Sequence, residues 1–459
     1  MRSLMAVIVV ISFAFAIGAV AQKPDVAKQA DDYMHAWADA GRFSGTVLLA
    51  KGGKTVLRKG YGMANVEHDV PNAPDTIFRI GSTTKMFTAF SVLQLEDKGL
   101  LSVHDPVVKY IPELPKAWSA VTIHHLLDHT SGIPDFATAP SYSNFEDPQR
   151  VEAALKEFAD KPLLNSPGEA LRYSNSGYIL LGRIIEKVSG ERYEDYVAAH
   201  ILRPAGMTNT AYDHSSVVLK RRAAGYIFDG EELVNAKPEE MSWTHSAGAL
   251  HSTVDDLYRF ERALNSGKLF SAAITKKAFS PYAKWNAPPP FNIEADYGYG
   301  SMMGTRFGHA WIGHGGWVGG FVCDFTRYPD DDAVVIVLSN VETANVTPIA
   351  RDLGAILLGA PYEKPPVHKV VHPEEKTLSG YVGKYTVGPL EVKITMKNGR
   401  LYAFGTGQRI PYGMVFYSDT EFFVNDGPQE ARFVADASGK ATQLVIHMDG
   451  KDIPLNRAE

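Results

Sequence analysis

The segment from Phe78 to Leu95 constrains this chain more than any other, because after Gly81 it offers a helix almost no polar face. Met86-Phe87-Thr88-Ala89-Phe90-Ser91-Val92-Leu93 is apolar on nearly every side, which predicts a helix buried at the protein's centre. Ser82 stands at its start, and Lys85 lies on the same face one turn deeper. A hydroxyl and an amine therefore meet where backbone N–H groups are free and the helix dipole favours negative charge. That is the local chemistry of an activated serine with part of an oxyanion hole built in. A capped helix with one lysine lying along its surface fits the same letters. Ser82-Thr83-Thr84-Lys85 is the only Ser-x-x-Lys in the chain, so its meaning depends on what the other residues supply.

A serine beside a lysine still needs a group to move protons and a second oxyanion donor. Tyr173-Ser174-Asn175 follows a turn at Pro167-Gly168 and precedes the helical spacing of Ser176–Val188, so its side chains project from a loop. A phenol titrates near 10 and acts as a base near neutrality only beside a positive charge such as Lys85. Asn175 brings a carbonyl and two N–H donors to orient a substrate amide or the lysine. Tyr142-Ser143-Asn144 repeats the letters but has no apolar helix after it, and ranks below Tyr173. The second element is Ile312-Gly313-His314-Gly315-Gly316-Trp317-Val318-Gly319-Gly320, a glycine-rich strand edge of the kind that lets another backbone or an extended substrate approach. There the Trp317 N–H is a candidate second oxyanion donor, and His314 a candidate contact for a substrate carboxylate. A plain glycine-rich turn is the competing reading.

Composition narrows the class. A net charge of -6 over 459 residues, with no concentrated Lys/Arg stripe, argues against nucleic-acid binding. Arg2 precedes an apolar run, Leu4 to Val20, that ends in Ala19-Val20-Ala21, so residues 1–21 read as a cleaved secretory signal rather than a retained anchor. With no other long apolar segment, no membrane span is expected after cleavage, and the expected location is periplasmic or secreted. The single Cys323 offers neither an intrachain disulfide nor a lipid-bearing N-terminal cysteine. His124, His125 and His129 lack an accompanying carboxylate or cysteine pattern, so neither a metal nor a cofactor is expected.

Strand patterns at Gly45–Ala50, Lys54–Tyr61, Tyr297–Phe307, Gly320–Tyr328 and Ala333–Ser339 surround a helical middle. They predict one mixed sheet built from both chain ends, flanked by helices and carrying a helical insert. The loop 133–148 is expected to border a cleft. Residues 361–377 read as a linker, and 378–459 as a small all-β barrel or sandwich punctuated by Asn398-Gly399, Ser438-Gly439 and Asp449-Gly450.

The order Ser82-x-x-Lys85, Tyr173-x-Asn175, His314-x-Gly316 resembles the serine β-lactamase-like, penicillin-recognising hydrolases. The branch is that of class C β-lactamases, D-Ala-D-Ala carboxypeptidases, D-aminopeptidases and related esterases. Further likeness lies in Phe78-Arg79-Ile80-Gly81-Ser82, Leu126-Leu127-Asp128-His129-Thr130-Ser131-Gly132 and Ser246-Ala247-Gly248-Ala249-Leu250-His251-Ser252-Thr253. The resemblance implies an α/β (α+β) fold with a mostly antiparallel sheet over residues 22–360, followed by a lipocalin-like β-domain. It also implies Ser82 as nucleophile, Lys85 and Tyr173 as the proton-handling pair, Asn175 as a polar positioner, and His314 and Gly316 on the substrate-facing strand. The implied substrates are D-amino-acid peptides, amides or small esters. The alternative is a sensor acylated once by a cell-wall fragment or β-lactam. Class C β-lactamases carry Lys-Thr-Gly where this chain has His314-Gly315-Gly316, which lowers the expected β-lactamase activity. Arg306 is a further candidate for binding a substrate carboxylate. Which of Lys85 and Tyr173 is the working base stays open, as does the oligomeric state.

Overall fold

The computed structural model describes residues 25–138, 155–229, 232–287, 293–364, 369–388, 390–405, 411–424, 430–448 and 451–458. The export reading of residues 1–21, Tyr142-Ser143-Asn144 and the Asp449-Gly450 turn lie outside them. Among the described residues no helix is long and apolar enough to cross a membrane.

The central sheet has eight strands: β1 (Gly45–Lys51), β2 (Lys54–Tyr61), β3 (Ala283–Ala287), β4 (Ile293–Tyr297), β5 (Met302–Arg306), β6 (His309–Val318), β7 (Phe321–Tyr328) and β8 (Ala333–Ser339). Their spatial order is β3-β4-β5-β6-β7-β8-β1-β2, and every pairing is antiparallel. The sheet is thus built from an early and a late part of the chain but is not mixed: β3 to β8 lie side by side in chain order, and the β1–β2 hairpin docks against β8 with Gly45 opposite Ser339. The single strand expected over Tyr297–Phe307 is split by a turn at residues 298–301.

Successive residues of β1 point to opposite faces, and both faces are covered. Val47 and Leu49 pack with helix α1 (Val26–Asp39) and the helix Val346–Leu358. Leu48 and Ala50 join the larger core around helix α2 (Thr84–Asp97), where Met86, Phe87, Ala89 and Phe90 are 0% exposed. Helix α2 is the buried centre that its composition predicts. Helices α3 (Asn175–Ser189) and α4 (Val254–Ser266) complete this layer, each ended by a left-handed glycine, Gly190 and Gly267.

Beyond helix Glu375–Tyr381, eight strands from Gly383–Val387 to Lys451–Arg457 close into a barrel, with Tyr385 opposite Arg457 at the seam. Closure, rather than a sandwich, leaves the sheet no edge. Its interior is filled by Tyr381, Tyr385, Phe416, Phe422 and Phe433. The barrel meets the hairpin Tyr226–Asp229/Glu232–Asn235 through Arg400, whose guanidinium lies 2.8 Å from Glu232. It also meets Arg42, whose guanidinium sits 4.5 Å from the centre of the Phe423 ring.

Candidate active site

The site is assembled where the turn before α2 meets β6. Ser82 sits on a short 3-10 turn, Gly81–Thr83, that leads into α2. That turn is pinned from both sides. Arg79 reaches Asp213 at 3.3 Å and the Glu239 carbonyl at 3.0 Å. On the other side, the Thr83 hydroxyl donates to the His314 carbonyl at 3.1 Å, and Cys323 Sγ lies 3.2 Å from the Ile80 carbonyl.

Strand β5 pairs with β6 only over Met302–Arg306 opposite His309–Gly313. Beyond Gly313 the outer edge of β6 has no strand partner among the described residues, and the Ser82 turn lies against it. The approach is close enough to exclude side chains. A Cβ at Gly316 would stand 1.9 Å from the Ile80 carbonyl oxygen, and one at Gly81 (φ +46°) 2.7 Å from the Trp317 nitrogen. The glycine-rich strand thus serves backbone contact with this turn, and it places the Trp317 amide against the segment bearing Ser82.

Lys85 is fully buried, and its Nζ meets three oxygens: Ser82 Oγ at 3.0 Å, Asn175 Oδ1 at 2.8 Å and the Ala247 carbonyl at 2.7 Å. Ala247 is held by its neighbour Ser246, whose hydroxyl donates to the Tyr178 carbonyl and whose carbonyl accepts from Thr88. Burial pulls the Lys85 amine down from 10.5 to about 7, against the opposing pull of Asp135. Asp135 lies in the loop expected to border the cleft but was not singled out by sequence. It accepts the Asn175 side-chain amide at 3.0 Å and the Asn175 backbone N–H at 3.2 Å, turning the Asn175 carbonyl oxygen toward Lys85.

Burial raises the Tyr173 phenol well above the ordinary phenol value, and the neighbouring Ser82 hydroxyl pulls in the opposite direction. The Lys85 amine lies over the Tyr173 ring, 4.9 Å from its centre. The same ring packs on His129 (4.2 Å between centres) and on Trp285 (5.2 Å). The Ser82–Lys85 and Tyr173–Asn175 pairs, which come from distant parts of the chain, are therefore together.

His314 is placed differently from expectation. It is 4% exposed, its Nε2 lies 3.0 Å from the Tyr297 hydroxyl and its Nδ1 contacts the Gly315 carbonyl, so both ring nitrogens face protein rather than a substrate carboxylate. Burial and Lys85 lower it to about 3, leaving the imidazole neutral. Arg306 is on the other side of the sheet, its guanidinium 3.9 Å from the centre of the Trp311 ring. His124 turns to Tyr299 and Asp128, His125 to the Thr122 amide and His129 to Tyr297, so the three imidazoles do not converge.

Beside Tyr173 opens a cleft of about 1130 Å³, walled by residues 168–173 and 282–286 and floored by Thr130, Ile133 and Asp135.

A buried lysine on a serine hydroxyl, in an α/β fold with an antiparallel sheet, defines a serine hydrolase. The family profile described as Beta-lactamase matches residues 26–359. The chain belongs to the β-lactamase family. It is 31% identical to Penicillin-binding protein 4* of Bacillus subtilis (strain 168) over 436 residues, which cover 90% of this chain and 94% of that one. Among solved structures it resembles the octameric penicillin-binding protein homologue from Pyrococcus abyssi (TM-score 0.66, 28% identity, covering 94% of this chain and 100% of that one). It also shares the fold of the D-amino acid amidase from Ochrobactrum anthropi SV3 complexed with D-phenylalanine (TM-score 0.63, 23% identity, 73% and 98% covered).

Proposed function

We propose that this chain is an exported hydrolase that cleaves D-amino-acid peptides or amides, and small esters, through an acyl group carried on Ser82, with little or no turnover of β-lactams. The observation that carries this reading is the surroundings of Lys85. Two of the three oxygens at its amine, the Asn175 carbonyl and the Ala247 carbonyl, only accept hydrogen bonds. A neutral amine has two N–H groups to give, and giving them there turns its lone pair toward the Ser82 hydroxyl 3.0 Å away.

Lys85 then takes the Ser82 proton as Oγ attacks the substrate carbonyl. Tyr173, whose phenol stays protonated at neutral pH, gives its proton to the leaving nitrogen or oxygen and is reprotonated from Lys85. The Ser82 and Trp317 amides are the proposed oxyanion donors. Water attacks the acyl group next, and the same groups return a proton to Ser82.

The substrate class rests on three supports. Relatives bear the names penicillin-binding protein and D-amino acid amidase. The cleft beside Tyr173 is larger than a single aminoacyl group needs, and Trp285 and Tyr282 give it an aromatic wall. A neutral, internally bonded His314 stands where class C enzymes carry a lysine, which removes the cation for a β-lactam carboxylate. Export rests on the pattern of residues 1–21.

The test is a panel of D-Ala-D-Ala peptides, D-aminoacyl amides, short esters and a cephalosporin, with mass spectrometry of the acylated residue. Sustained product release from D-peptides, amides or esters is expected. One-to-one acylation that stops would instead favour a sensor, the reading that the relatives' penicillin-binding names suggest.

Asp135 supplies a sharper check. Asp135→Asn keeps the shape but removes the charge that raises the Lys85 amine, so the acid limb of the kcat/KM profile is expected to move to lower pH. Loss of a charged acceptor on Asn175 should reduce kcat by about tenfold. A pH–rate series on a nitrophenyl ester reads both. A limb that moves up would contradict the assignment.

A further inference from the structure

Three buried rings outside the Ser82–Lys85–Tyr173 group form a continuous chain of hydrogen bonds. The Ser174 amide donates to His129 Nδ1 at 3.1 Å, so a neutral His129 must carry its proton on Nε2. That Nε2 lies 3.1 Å from the Tyr297 hydroxyl, which therefore accepts from it. The phenol's own proton is left for His314 Nε2 at 3.0 Å. His314 then carries its proton on Nδ1, where the Gly315 carbonyl accepts it. One direction of donation satisfies every member, and no other neutral arrangement does. The rings are deeply buried: Tyr297 is 0% exposed, His129 1% and His314 4%.

The chain joins two separate parts of the site. At one end His129 brackets Tyr173: its carbonyl accepts from the Arg172 amide at 2.8 Å, its Nδ1 from the Ser174 amide, and its ring lies 4.2 Å from the Tyr173 ring. His129 does this from a left-handed backbone (φ +61°), a conformation that a non-glycine residue keeps only when its surroundings hold it. At the other end His314 belongs to β6, whose outer edge lies against the Ser82 turn. Among the described residues, the Tyr297 hydroxyl is the hydrogen-bonded link between these two imidazoles.

We propose that Tyr297 is a positioning residue. Its hydroxyl ties the loop that presents Tyr173 to the strand that backs Ser82, and so sets where the Tyr173 phenol meets the serine. The inference rests on Tyr173 being the proton-handling phenol. Tyr297→Phe keeps the ring and its packing and removes only the bridging oxygen. Small misplacements of reacting groups cost up to about a hundredfold in rate, so kcat on a nitrophenyl ester is expected to fall roughly 10- to 100-fold, with KM changed less than about threefold.

A double-mutant cycle separates positioning from a general structural role, read as the rate of fluorophosphonate labelling so that slow variants remain measurable. In a Tyr173→Phe background, Tyr297→Phe should change the labelling rate less than about twofold, because the group it positions is already gone. Equal losses in both backgrounds would overturn the proposal, as would an unchanged kcat in the single variant. The underlying reading fails separately: Tyr173→Phe as active as the unaltered chain would remove the role of Tyr173 itself. Thermal unfolding of each variant establishes that the rates compare folded proteins.

Discussion

Ser82→Ala is expected to lower hydrolysis of a nitrophenyl ester by about 10⁴-fold or more and to abolish labelling by a fluorophosphonate. The size of the effect follows from covalent catalysis: without the hydroxyl there is no acyl carrier, and the neighbouring amine and phenol have no proton to move. The fold should survive, because Ser82 is only half-buried and the turn that bears it is held by its neighbours Arg79 and Thr83. Unchanged thermal unfolding with lost labelling is the expected pair of results. Retained turnover with a normal KM would reject the acyl-enzyme reading.

The second large effect belongs to Lys85. As a base it must be neutral, and its amine is lowered to about 7 by burial. Below that value the protonated form dominates, so kcat/KM should rise about tenfold per pH unit up to pH 7 and level off above it. Lys85→Arg installs a cation that stays charged throughout and should cost roughly 10³-fold at every pH. If Tyr173 were the resting base instead, the rise would lie far into alkali, since burial drives its phenol upward. The position of one limb therefore decides between the two residues, a choice that sequence left open.

Much of this was legible in the letters. An all-round apolar run signals burial, so α2 follows from its composition, and Ser82 and Lys85 follow from α2. The helical spacing of Ser176–Val188 likewise anticipates α3. Tyr173 and Asn175 were legible from their place between a turn and a helix, the resemblance to penicillin-recognising hydrolases added their roles, and the structure brings them to Lys85. Contacts across long sequence separations were not legible. Asp135 reaches Asn175 40 residues away, and Tyr297 reaches His129 168 residues away, through side chains that carry no local pattern. Strands β3 and β4 were not legible because each is short and weakly alternating. His314 was misjudged in orientation: strand alternation gives the face a side chain takes, but not whether a buried phenol waits there to bind it.

The barrel's seat on the hairpin 226–235 has a consequence for how selectivity is distributed along the chain. Among the described residues, those lining the large cleft all fall between Thr130 and Asn286, and none after Gly359 forms a wall of it. On the proposed reading, discrimination by length or bulk of the incoming molecule is then a property of the segment 168–173 and of strand β3, which wall that opening. Substitutions in those two walls are then expected to alter selectivity while leaving the C-terminal module unchanged.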